Sequence, residues 1–406
     1  MLPGMSYLSH VDWRHRVFVL PLLGLFLLFG ASATVLGATI PKIVREFQWS
    51  YTVTGVVASA GAVGYFISSF GCGLLVHRLG VRRVLLAGLA FQATGMVLFG
   101  STASAAVNGS LGLLIGMGNG GIEVMGNYCI VRIERGGSSR LMNLIHAAFS
   151  VGAIVGPLGV AGLLSRGIPW QTVYRVMACV SVALGVGLLF VPFSRLTDGR
   201  GKAGGRLRTA EVLRHPLLVL AFLILLLYVG TEVGVSKWVA ELFVRTRQTT
   251  APAGARMVAV FWLGILAGRA GISVAHRGGR QGALLLGLSV LCTAALLAVL
   301  LLPGAWQAAA ALFVSGLGYS AIYPVVMTLL GGRFREAEGV AVGFAATGGG
   351  IGAFAVPFAM GAISDRLGMR WGFGFCIGLN VVMIALIAAV VGRMRMTNDE
   401  ARMTNQ

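Results

Sequence analysis

The chain has 406 residues, of which 57% are hydrophobic and only 11% charged, with a mean hydropathy of +0.85. A soluble domain carries about 25% charged residues, so this composition excludes an ordinary water-soluble protein. The formal charge of +19 comes from 32 Lys and Arg scattered among apolar runs, with no basic domain to hold nucleic acid; a membrane protein accounts for them and a nucleic-acid partner does not.

A helix needs roughly 20 apolar residues to cross the hydrocarbon core. Runs of that length are expected at about 17–43, 53–76, 84–103, 109–131, 141–163 and 172–193. After a polar stretch, six more follow at about 216–243, 254–275, 281–301, 307–329, 339–364 and 372–392. The first run, from Val17, is too long for a cleaved leader and lacks a small-residue cleavage pattern, so it reads as the first span. The expectation is an all-α membrane protein of twelve transmembrane helices: a first bundle over residues 1–193, a linker over 194–215, and a second bundle with a short tail over 216–406.

Counting loops and span ends, 21 basic residues fall on one side and nine on the other, with Lys237 and Arg269 inside spans. The richer side reads as cytoplasmic and holds both termini. The five cysteines, Cys72, Cys129, Cys179, Cys292 and Cys376, lie in apolar runs without paired spacing. They are expected to be free, buried thiols, and no metal or cofactor site is expected.

The two halves repeat at an offset of about 200 residues. "GMGNGGIE" ending at Glu123 lies over "GLGYSAIY" ending at Tyr323, "GAIVGP" from Gly152 over "GAFAVP" from Gly352, and "HRLGVRR" from His77 against "HRGGR" from His276. Several matches at one offset describe parallel repeats related by an axis along the membrane normal, as in a two-bundle transporter.

Only Glu123, Glu232 and Glu241 place carboxylates inside spans. A charge at mid-bilayer costs roughly 2.5–3.5 kcal/mol, so each needs a reason. Asn119, Glu123 and Asn127 are four apart and stack on one face, which either lines a water-filled cavity or holds two helices together. Asn143 and His146 open the fifth run three apart; His146 either binds substrate, shares a proton with Glu123, or is structural. In the seventh run Lys237 either pairs with Glu241 or attracts an anionic substrate, while Tyr228 and Trp238 offer rings for stacking or serve as packing. Arg269 reads as a gate or packing residue. No nucleophile–base pair, dinucleotide turn or metal-ligand cluster is present in the sequence, so no enzyme is expected.

Gly73-Leu74-Leu75-Val76-His77-Arg78-Leu79-Gly80-Val81-Arg82-Arg83 resembles the loop motif of the major facilitator superfamily, with His77 where that motif carries an acid. The resemblance implies a cytoplasmic gate at Gly73, Arg78, Gly80 and Arg82, to which Arg269 is added. "GMGNGGIEVMGN", "RLMNLIHAAFSVGAI", "YVGTEVGVSKW" and "GLGYSAIYP" resemble the fucose–galactose–glucose:proton symporter family. That resemblance implies proton-coupled, alternating-access uptake of a hexose or deoxyhexose through the bacterial inner membrane by a monomer whose partners are substrate, protons and lipid. Proton coupling would fall to Glu123 and His146, and substrate binding to Asn119, Asn127, Asn143, Tyr228, Glu232, Lys237, Trp238 and Tyr323. The chain departs from the pattern at Gly37, where the family has an aspartate, and at Lys237, where it has a small residue. Gly152-x-x-x-Gly156-Pro157-x-Gly159 partly resembles the motif of drug:proton antiporters, which keeps export of amphipathic or organic-anion compounds as the alternative. A sensor or lipid scaffold that has lost transport is the third reading.

Overall fold

The computed structural model describes residues 13–133, 140–196, 215–275, 281–334 and 338–403. A 3-10 turn, Trp13–Phe18, leads into α1 (Val19–Phe47), followed by α2 (Tyr51–Leu79), α3 (Val81–Leu98), α4 (Ala105–Ile133), α5 (Arg140–Ser165) and α6 (Gln171–Leu189). After a short turn at Phe193–Arg195 come α7 (Pro216–Thr246), α8 (Ala251–Ala275), α9 (Gln281–Leu301), α10 (Ala305–Tyr319), α11 (Ile322–Arg333), α12 (Glu338–Leu367) and α13 (Met369–Met403). Among the described residues there is no strand. Most of the expected linker, 197–214, lies outside them, as does the side chain of His77.

Eleven segments are long and apolar enough to cross a membrane, α10 and α11 counting together as one, Ala305–Gly331. The twelfth is α4, longer than its neighbours at 29 residues but loaded with Asn108, Asn119, Glu123 and Asn127. The fold is thus all-α, with twelve spans in two six-helix bundles. By contacts the chain divides into two compact units, Met1–Gly201 with Val239–Val244 and Thr249–Ala259, and Lys202–Trp238 with Arg245–Gln248 and Val260–Gln406.

Each unit is built on glycines that bring helix backbones together, as expected where lipid removes the hydrophobic drive between helices. A Cβ on Gly152 of α5 would overlap the backbone of Leu27 and Ala31 in α1. Two hundred residues on, a Cβ on Gly352 of α12 would overlap Leu226 and Gly230 of α7. Likewise Gly116 of α4 sits against the backbone of Gly61 in α2, and Gly316 of α10 against Phe261 and Gly264 in α8. Even the helix ends repeat: Gln48 and Gln248 both take left-handed backbone, with φ of 54° and 51°.

Two expectations are corrected. The tenth run is not one continuous helix but is broken between Tyr319 and Ile322. Pro324 has no N–H for the Ser320 carbonyl four residues back, and its ring crowds that carbonyl; Ala321 consequently leaves helical geometry, with φ −127° and ψ 8°. The five cysteines are free, but Cys179 is exposed rather than buried. It lies on an outward face of α6, where the apolar run that suggested burial is solvated by lipid instead.

Candidate functional site

In the first unit, α4 carries its polar side chains to two different sides. Glu123 is half-buried and accepts a hydrogen bond from the Tyr65 hydroxyl of α2. One turn later, Asn127 Oδ1 lies 3.2 Å from His146 Nε2 of α5. Rings surround this corner: Phe29 of α1 stacks on Tyr65 with centroids 6.4 Å apart, Phe149 of α5 lies 4.7 Å from Phe29, and Phe26 meets His146 edge-on at 5.1 Å. Phe29, Tyr65 and Phe149 are half-buried, so their faces are partly available. The motif reading missed these three rings and the Tyr65 partner, because an aromatic residue in an apolar run reads as core.

Asn119 does not share that corner. It is buried, its Oδ1 accepting from Gln92 Nε2 of α3 at 2.7 Å, while Gln92 Oε1 accepts from the Ser181 hydroxyl of α6 at 2.8 Å. The expected single face of Asn119, Glu123 and Asn127 therefore divides. Four residues advance a helix by slightly more than one turn, and the offset is enough to turn Asn119 toward α3 and α6. The amide is sealed in a three-helix polar contact, which corrects its reading as a substrate ligand. Asn143, at the start of α5, is exposed.

In the second unit the break between α10 and α11 frees two carbonyls, and both are taken. The Tyr228 hydroxyl of α7 donates to Tyr319 O at 3.0 Å, and Arg269 Nε of α8 donates to Ser320 O at 3.2 Å. Buried Glu232 stands one turn after Tyr228, close enough to both Tyr228 and Arg269 to interact with them. Arg269, expected as a gate or packing residue, thus donates to the carbonyl of the broken helix and lies near Glu232. Pro324 was the sequence signal that could have revealed this. Half-buried Tyr323 brings its ring to 6.5 Å from that of Tyr228.

The two rings expected to stack on substrate are packing residues. Tyr228 is 1% exposed, and Trp238 is fully buried with Nε1 donating to Pro357 O at 2.9 Å. Each side chain spends its polar atom on a backbone carbonyl of another helix. Lys237 is half-buried on α7, and Glu241, within the first unit, accepts from the Tyr51 hydroxyl at 2.9 Å.

At the other helix ends, Gly80 joins α2 to α3 with φ 77°, a backbone that a side chain would strain, and Arg82 donates to Leu189 O at the end of α6. Gly73 and Arg78 are exposed. The glycines that suggested an antiporter are accounted for by packing, since Gly152 and Gly156 both lie against α1.

The description of the Major Facilitator Superfamily matches residues 22–276 and 248–405. The chain is 24% identical over 363 residues to membrane protein MosC of Rhizobium meliloti, covering 88% of this chain and 86% of that one. It is 27% identical over 373 residues to a glucose/galactose transporter of Brucella abortus, covering 86% and 88%. Among solved structures, the nucleoside transporter NupG superposes with a TM-score of 0.76 at 12% identity over 93% of this chain and 99% of that one. A bacterial homologue of the human lysosomal transporter Spinster gives 0.75 at 14% identity over 96% and 97%. With twelve spans, an internal repeat carried down to individual glycine contacts, and a family match along nearly its whole length, this chain belongs to the Major Facilitator Superfamily of membrane transporters.

Proposed function

We propose that this transporter takes up a hexose or deoxyhexose together with a proton, as a monomer in the bacterial inner membrane with both termini in the cytoplasm. The observation that carries the reading is the corner formed by Glu123, Tyr65, Asn127 and His146. Among the described residues, the hydrogen-bond partner of the Glu123 carboxylate is a neutral phenol, whereas Glu232 has the cation Arg269 beside it. A carboxyl with a cation beside it is partly compensated by that charge; one held by a hydroxyl is not, and can exchange a proton with what passes it. The amide and imidazole of Asn127 and His146 offer hydrogen bonds to sugar hydroxyls, and Phe29, Tyr65 and Phe149 offer rings to sugar C–H faces. The relatives named as glucose/galactose transporters support the sugar class, and the arginine-rich loops support the orientation.

The test is uptake of a panel of labelled sugars into proteoliposomes, with and without an inward proton gradient. The wild type should accumulate at least one hexose only when the gradient is present. Glu123→Gln should abolish gradient-driven accumulation while sparing sugar exchange. Accumulation by Glu123→Gln with unchanged pH dependence would overturn the coupling assignment, and a panel without any transported sugar would overturn the substrate class.

A further inference from the structure

Away from that corner, the first unit carries an open cavity of about 480 Å³ where α1 and α5 end and α6 begins. Its lining includes Lys42, Glu46, Ile168, Trp170, Gln171 and Arg175. Glu46 is held in place by two neutral donors: Trp170 Nε1 reaches Oε2 at 2.7 Å and Gln171 Nε2 reaches Oε1 at 2.8 Å. Neither donor carries charge, and each takes one lone pair of its oxygen, so the carboxylate has lone pairs to spare. Gln171 Oε1, at the same place, is buried with no hydrogen-bond partner. The carboxylate of Glu46 is thus the acceptor that the cavity offers to an N–H₃⁺ group.

Lys42 and Arg175 bring the opposite charge. Both are exposed, and among the described residues neither has an acceptor. Lys42 precedes Glu46 by one turn of α1, about 6 Å along the axis, so positive and negative groups are set side by side at a short fixed spacing. A purely anionic ligand would meet Glu46, and a purely cationic one would meet Lys42 and Arg175. A ligand with an ammonium close to a phosphate satisfies both. The cavity also lies at the helix ends, where a span leaves the hydrocarbon for the headgroup layer.

We propose that this cavity binds the phosphoethanolamine headgroup of a membrane lipid, Glu46 receiving the ammonium and Lys42 and Arg175 the phosphate. The site is separate from the Glu123 corner and does not depend on which cargo is carried.

The test uses the purified full-length chain in detergent, titrated with phosphatidylethanolamine, phosphatidylglycerol or soluble glycerophosphoethanolamine, with binding read by native mass spectrometry. Wild type should bind phosphatidylethanolamine more tightly than phosphatidylglycerol. Each exposed cation near a lipid phosphate contributes about fivefold, so Lys42→Ala with Arg175→Ala should weaken phosphatidylethanolamine about 25-fold. Glu46→Gln keeps the side-chain size and removes the charge, and should reverse the preference toward phosphatidylglycerol. Equal wild-type affinity for the two lipids, or an unchanged preference in Glu46→Gln, would overturn the proposal. Glycerophosphoethanolamine binding as tightly as the lipid would overturn the lipid source in favour of a soluble zwitterion. Should Glu46→Gln fail to fold, the double variant at the exposed cations still decides the matter.

Discussion

The Tyr65 hydroxyl of α2 donates to the Glu123 carboxylate of α4, joining the two helices of the first unit that also meet at Gly61 and Gly116. The close backbone approach sets the distance, and the hydroxyl fixes where the carboxylate points.

That geometry predicts coupled mutational effects. A hydrogen bond to a charged group is worth about 1.5–3 kcal/mol, so Tyr65→Phe should lower gradient-driven uptake by about tenfold or more. If the hydroxyl acts through the carboxylate, Tyr65→Phe should, like Glu123→Gln, spare sugar exchange, and so should the double variant. Loss of exchange in Tyr65→Phe would show that Tyr65 acts independently of the carboxylate.

Asn119 should behave differently. Removing its side chain opens the Gln92–Asn119–Ser181 contact between three helices, and hydrogen bonds between membrane helices are worth about 0.6 kcal/mol on average and up to about 1.7. Asn119→Ala should therefore lower the Tm of the purified protein slightly and leave substrate affinity unchanged. A large rise in KM with an unaltered Tm would return Asn119 to the substrate site.

The charges of Glu232 and Arg269 should depend on each other. Glu232 is buried and Arg269 half-buried, so leaving Glu232 alone should cost less than the roughly 3–5 kcal/mol of a fully buried pair, and removing both should be milder still. Arg269→Gln is expected to reduce folded yield sharply, and Glu232→Gln with Arg269→Gln to recover most of it, as read by size-exclusion profiles and thermal unfolding. Arg269 also closes Ser320 O, so recovery should stop short of wild type.

Gly116 and Gly316 offer a test of the repeat at the level of single contacts. At either position a Cβ would overlap the backbone of the facing helix, and overpacking of that kind typically costs about 1–3 kcal/mol. Gly116→Ala and Gly316→Ala should destabilise to a similar degree, whereas Gly73→Ala, with open space around it, should be neutral in thermal unfolding.

The span count and the 200-residue repeat were legible in the sequence because both are carried by local pattern. A run of apolar residues has to be solvated by lipid whatever packs against it, and glycine spacing recurs wherever the same helix crossing is built twice. Glu123 was legible for a related reason, since a carboxylate inside a span stands out against a uniform background. What the tertiary structure alone decided was pairing and direction. No local rule tells that Asn119 turns to Gln92 while Glu123 turns to Tyr65, because that depends on a helix's rotation about its own axis, which neighbouring helices set. Tyr228 and Trp238 were apparent ligands until their polar atoms were found on carbonyls of other helices. Arg269 lay in an apolar run with no visible reason until Pro324 was seen to strip the Ser320 carbonyl of its helical donor. In a membrane span every freed carbonyl has to find a donor inside the protein, and that donor can lie anywhere in the chain.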